Sequence, residues 1–159
     1  MARSSAYSDG LLLLARRELS VSQMRARLLD REHEADDVED AVQRLLESGA
    51  LNDTRVAAAY VSSALRIKGR GRLRIQRELR EIGIPADVAT QALADAFGDL
   101  DERSLIRKAL HKKLRAGQKT IATRQEYARV FQFLVRQGFS AAVITNVLRA
   151  YRKGQETDE

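Results

Sequence analysis

The feature that most constrains the fold is a repeat inside the chain. Leu79-Arg-Glu-Ile-Gly83-Ile84-Pro-Ala86-Asp-Val88, closing on Leu93, matches Leu134-Val-Arg-Gln-Gly138-Phe139-Ser-Ala141-Ala-Val143, closing on Leu148, at a constant offset of 55 residues. A looser copy, Leu28 ahead of Asp37-Val38 and Val42, stands about 50 residues before the second. Each copy reads helix, loop, helix, tight turn, helix. A unit of that size buries little apolar surface alone, so neighbouring copies must pack together. The expected fold is all-α: three tandem three-helix repeats, about nine helices, elongated and curved. A single globular bundle is the alternative.

Apolar spacing supports helices throughout. Val38, Val42 and Leu45 fall at i, i+4, i+7, as do Ile75, Leu79 and Ile82. Tyr127, Val130/Phe131 and Leu134 follow the same rule, and no stretch alternates long enough to argue a strand. Ser20 with Gln23, and Thr123 with Glu126, read as capping boxes. Asn52 or Asp53, and Ser140, are further cap candidates. Gly49, Gly83, Gly98, Gly117 and Gly138 each follow a periodic stretch where a left-handed residue closes a helix. The single proline, Pro85, sits where a first helical turn tolerates it. The helices are expected over 6–17, 20–31, 35–48, 53–67, 72–82, 85–97, 101–116, 123–137 and 140–152. The repeats are expected at 6–51, 52–98 and 99–153, between a disordered start (1–5) and a disordered acidic tail (154–159).

Charge is uneven along the chain. Residues 1–51 carry seven basic and ten acidic side chains, net −3; 52–98 carry eight and five, net +3; 99–159 carry thirteen and seven, net +6. A basic middle and C-terminal region suits a polyanion or an acidic protein surface. The chain has no cysteine, which excludes disulfides and thiolate metal sites and fits a reducing, cytoplasmic setting. Its apolar runs, such as Leu11 to Ala15, are too short for a membrane span.

The sequence offers no catalytic constellation. His33 and His111 lie in charged stretches expected to be exposed and form no zinc motif. Phosphate loops and nucleophile elbows are absent. Asp36, Asp37, Glu39 and Asp40 cluster at a helix start, where acids favour the positive end of the dipole. No enzyme activity, metal or cofactor is expected.

Basic residues form two groups. Arg66, Lys68, Arg70, Arg72, Arg74, Arg77 and Arg80 fall within one short stretch whose start, with Gly69 and Gly71, reads as a mobile loop. With Ile75, Leu79 and Ile82 inward, a 100° step places Arg74, Arg77 and Arg80 on the opposite side. Leu73, among the outward positions, is expected to fill a contact between repeats, with an exposed apolar anchor as the alternative. The second group is Arg107, Lys108, Lys112, Lys113 and Arg115; if Ile106, Ala109 and Leu110 face inward, Arg107, Lys108, His111, Lys112 and Arg115 share the outer arc. The tyrosines are not interleaved with the arginines, so phosphate contacts rather than base stacking are expected. Phe97, Phe131, Phe133 and Phe139 read as core.

Leu51-Asn52-Asp53, Ala57 and Tyr60-Val61, then Lys68-Gly69, Glu78-Leu79 and Gly83-Ile84, resemble the RecX family of bacterial regulatory proteins. Leu14-Ala-Arg-Arg-Glu-Leu-Ser20 with Leu28, and the Leu134–Ile144 stretch, resemble it too, so the likeness spans roughly residues 6–152. Gln137 departs from the pattern, where the family tends to carry a basic residue before its glycine; that weakens a charge role at this corner and leaves the fold untouched. The resemblance implies tandem three-helix repeats and modulation of RecA, the recombinase that forms filaments on single-stranded DNA. It further implies binding along the RecA nucleoprotein filament and suppression of ATPase, strand exchange and co-protease activity, within DNA repair, homologous recombination and the SOS response. Both basic groups then become candidate contacts to acidic filament surface or to single- or double-stranded DNA phosphates. A monomer with no membrane contact is expected. A direct DNA-binding helical regulator and a protein-only helical-repeat adaptor are the competing readings.

Overall fold

The computed structural model describes residues 4–114 and 120–153. Among them run nine α-helices and no strand: α1 (Ala6–Leu14), α2 (Val21–Leu29), α3 (Ala35–Glu47), α4 (Asp53–Arg66), α5 (Arg72–Glu81), α6 (Ala86–Phe97), α7 (Glu102–Lys113), α8 (Arg124–Gln137) and α9 (Ala141–Lys153). The architecture is an all-α tandem of three-helix repeats. Two helices end three residues before their expected bound: α7, at Lys113, and α1. Helix α1 stops at Leu14 because Leu13 O accepts the N–H of Arg16 at 3.1 Å, tightening the last turn. The expected tail 154–159, residues 1–3 and Gly117 lie outside the described residues. Ser4 and Ser5, expected to belong to a disordered start, have defined places: Ser5 caps α1 by accepting the Ser8 N–H, and Ser4 donates to Asp9.

The chain forms two compact units. One takes the chain through Tyr60 together with Glu78–Ala92; the other takes Val61–Arg77 and the chain from Leu93 onward. The first triplet lies in the first unit and the third in the second. Each helix of the second triplet contributes residues to both.

In the first unit, α3 buries Val38, Ala41, Val42 and Leu45, an i, i+3, i+4, i+7 stripe, in one core with Ala6, Met24 and Leu28. Truncating fully buried Leu28 or Leu45 to alanine is expected to cost about 2–5 kcal/mol, read by urea unfolding. Ser20 opens α2 with the full capping box: its Oγ accepts from Gln23 N at 3.0 Å, and Gln23 Oε1 accepts from Ser20 N at 3.1 Å. The hydroxyl proton of Ser20 goes to the Ile82 carbonyl at the end of α5. Gly83 follows with φ +81°, and a Cβ there would run into Ser22. The start of α2 is thus seated on the glycine turn that ends α5.

The second unit repeats the arrangement. Gly71 N donates to Gln137 O at 2.7 Å and Leu73 N to Gly138 O at 3.1 Å. The otherwise unpaired first-turn amides of α5 therefore satisfy the otherwise unpaired last carbonyls of α8, positive helix end on negative helix end. Gly138 has φ +98°, and a Cβ on Gly71 would lie 2.5 Å from Gly138 C and O. The loop expected to be mobile is tethered instead. The core of this unit gathers Ile106, Leu110, Ile121, Val130, Leu134, Phe139, Ile144, Val147 and Leu148. Thr123 and Glu126 complete their capping box at the start of α8. Asn52, not Asp53, caps α4 by accepting the Arg55 N–H at 3.0 Å; Asp53 instead accepts from Val21 N at 2.9 Å. Of the glycines expected to be left-handed, Gly98 is not.

Asp9 is a buried acid inside α1, 6% exposed. It meets His33 Nε2 at 2.8 Å, Ser4 Oγ at 2.7 Å and Arg31 Nη1 at 3.4 Å. His33, expected to be exposed, is turned inward by this contact, its side chain 12% exposed. The hydrogen bonds from His33 and Ser4, with the charge of Arg31, hold the Asp9 carboxyl below its usual range. As pH falls the unfolded chain therefore takes up this proton first. Asp9 stabilises the fold above about pH 4 and loses that contribution as pH drops further. Asp9→Ala is expected to cost about 2–3 kcal/mol at pH 7, with the gap from the parent protein shrinking below about pH 4 in urea melts taken across that range.

Candidate nucleic-acid and partner interface

Four basic side chains of the first unit are paired with its own acids, while Arg16, Arg17 and Arg27 stand exposed without a carboxylate partner among the described residues. Arg25 forks onto Glu39 at 2.7 and 3.0 Å. Arg55 forks onto Glu18 at 2.9 and 3.2 Å. Arg31 pairs with Asp9, and Arg44 reaches Asp40 at 3.9 Å while lying 3.9 Å over the Tyr7 ring. The acidic cluster at the start of α3 is accordingly structural: Asp36 and Asp37 occupy its first turn, and Glu39 and Asp40 are used in pairs. Among the described residues, no three metal-ligating side chains are grouped so that they could hold an ion.

In the second unit, exposed cations are gathered on one helix, α7. Ile106 and Leu110 of α7 are fully buried, and the helix turns Arg107, Lys108, His111, Lys112 and Lys113 to solvent. Among the described residues, Arg107, Lys108 and Lys112 have no carboxylate partner. Lys113 Nζ lies 4.9 Å from the Phe133 ring centroid. His111, Lys112 and Lys113 also occupy the last turn of α7, where cations favour the helix dipole. Arg115 lies outside the described residues. Exposed Arg124 and Arg129 on α8 and Arg149 on α9 enlarge the basic surface of the third triplet. Sequence reasoning passed over them because none falls in a run as dense as the other two groups.

The first basic group does not form one face. Arg66, Lys68 and Arg72 are exposed around the α4–α5 loop. Arg70 is half-buried and engaged within the chain, and Arg77, though exposed, is also engaged. Arg74, expected to face outward, is half-buried. Its Nη1 donates to Arg136 O at 3.3 Å, so it helps close the C-terminus of α8. Arg80 is exposed but belongs to the first unit. Leu73, expected to fill a contact between repeats, is 56% exposed. Phe139 is buried and Phe131 and Phe133 pack partly buried on the core, as their spacing predicted.

Three family models match the chain in order: "RecX, first three-helix domain" over residues 6–45, the second three-helix domain over 52–93 and the third over 101–148. The chain is also 35% identical to the regulatory protein RecX of Halorhodospira halophila over 159 residues, covering 99% of this chain and 94% of that one. The chain belongs to the RecX family. A second RecX relative, from Trichlorobacter lovleyi, is 28% identical across 89% of this chain and 92% of its own. The crystal structure of RecX from Lactobacillus salivarius superposes with a TM-score of 0.74 at 20% identity, covering 92% of this chain and 94% of that one. Another regulatory protein RecX structure gives 0.78 at 25% identity over 89% of this chain and 70% of its own. As a RecX family member the protein has a regulatory role. Among the described residues, no helix is long and apolar enough to cross a membrane.

Proposed function

We propose that the protein binds the RecA–single-stranded DNA filament in the cytoplasm and restrains the recombinase, lowering ATPase, strand exchange and co-protease activity. It acts by binding, as a monomer, and without catalysis or cofactor. The observation that carries this reading, beside family membership, is the α7 face, where Arg107, Lys108 and Lys112 stand exposed without internal carboxylate partners. Desolvating cations already paired in the chain would sacrifice those pairs, whereas unpaired ones are available to phosphates or acidic side chains. Arg66, Lys68, Arg72 and Arg80 are further contacts by the same criterion; Arg70, Arg74 and Arg77 serve the fold first. The test is RecA ATPase on single-stranded DNA as purified protein is added. A rate that falls with protein concentration is the expected result. An unchanged rate, together with retention of a specific duplex in the absence of RecA, would favour a direct DNA-binding regulator instead.

A further inference from the structure

We infer that the loop joining α4 to α5 docks a protein surface that presents carboxylates around an apolar cleft. Two large aliphatic side chains flank this loop in full view of solvent: Ile67 is 75% exposed and Leu73 56%. Around them stand exposed Arg66, Lys68 and Arg72, and residues 66–77 contain no acid at all. The loop is held in one shape. Ile67 N and Lys68 N both donate to Ser63 O, Arg70 N donates to Ala64 O, and Leu73 N donates to Gly138 O. Gly69 takes the left-handed conformation the turn needs, φ +61°. Two exposed aliphatics on a pinned backbone are not side effects of disorder. They are ordered apolar anchors whose presentation needs little further loss of entropy on binding.

The chemistry of the anchors favours protein over nucleic acid. Phosphates are gripped by cations and N–H donors, and a branched aliphatic gains nothing from them. Single strands are gripped by aromatic platforms, and residues 66–77 have no aromatic. Protein interfaces combine buried apolar anchors with arginine. The α7 face carries its cations without an exposed large aliphatic beside them on that helix. The inference rests on the filament reading and deepens it: this loop meets the protein of the filament, and the α7 face its phosphates.

The chain's lack of cysteine makes the test direct. Ile67→Cys, labelled with a thiol-reactive benzophenone, is irradiated on RecA filaments assembled on a fluorescent oligonucleotide. An adduct on RecA is the expected result. An adduct on the oligonucleotide, or none while the labelled protein still cosediments, overturns the inference. Failure of the unlabelled parent protein to cosediment overturns the filament reading and this inference with it. In parallel, Ile67→Ser with Leu73→Ser is expected to weaken filament binding about tenfold or more while leaving affinity for bare oligonucleotide unchanged. Filament binding equal to the parent protein's contradicts the assignment.

Discussion

Gly138→Ala is expected to lower stability by at least about 3 kcal/mol, a fall in melting temperature of roughly 6–12 °C for a chain of this size. Two costs add at this position. The backbone sits at φ +98°, where a Cβ costs about 1–2 kcal/mol on its own. The new Cβ would also strike the Arg74 backbone, with Arg74 Cα only 2.9 Å away. Backbone cannot swing aside as a side-chain tip can, so α5 must separate from α8. That separation breaks the Gly71–Gln137 and Leu73–Gly138 hydrogen bonds and leaves their buried groups unpaired. Gly49 provides the control. It is also left-handed, at φ +74°, but has no atom within 4 Å of its would-be Cβ, so Gly49→Ala carries the strain alone. Gly71→Ala isolates the other cost, having the close approach without a left-handed backbone. Thermal melts of the three variants decide the matter. Equal losses for Gly49→Ala and Gly138→Ala would mean that the α5–α8 junction contributes nothing.

The second large effect is functional. Arg107→Glu, Lys108→Glu and Lys112→Glu together are expected to abolish RecA inhibition while leaving helicity and melting temperature close to the parent protein's. These side chains are exposed and have no carboxylate partner among the described residues, and only Lys112 adds a small helix-end contribution. Reversal replaces three attractive contacts with three repulsive ones, and the affinity lost should exceed about 100-fold at low salt. The matching reversal of Arg74, Arg77 and Arg80 should behave differently. It removes the Arg74 bond to Arg136 O and so lowers stability as well as charge. RecA ATPase titrations beside thermal melts separate the two classes of variant.

Much of the fold is legible along the chain because its signals are local. The 55-residue match around Gly83 and Gly138 lies at the two junctions where a helix start seats on a glycine turn. The capping boxes at Ser20 and Thr123 are four-residue devices, and both formed as written. What escaped sequence reasoning depends on partners far away in the chain. Helical geometry sorts α5 about its own axis and places Arg74 outward; it says nothing of α8, whose end arrives from 62 residues later and draws the guanidinium in. Leu73 escaped for the same reason in reverse: its backbone is pinned by Gly138 while its side chain is left outside. His33 looked exposed because its neighbours in sequence are charged, yet its partner is Asp9, 24 residues earlier. Charge clustering located the α7 face correctly as exposed, since there the inward residues Ile106 and Leu110 lie on the same helix.

The most direct test of the account is the salt dependence of binding to RecA filaments on single-stranded DNA, measured for the parent protein and for the Arg107→Glu, Lys108→Glu, Lys112→Glu variant. Log affinity against log salt should fall steeply for the parent protein, and the slope should shrink by about 2 when those three cations are reversed. A slope near zero for the parent protein, or one identical in the variant, would contradict a regulator that holds its target through the exposed basic face of α7.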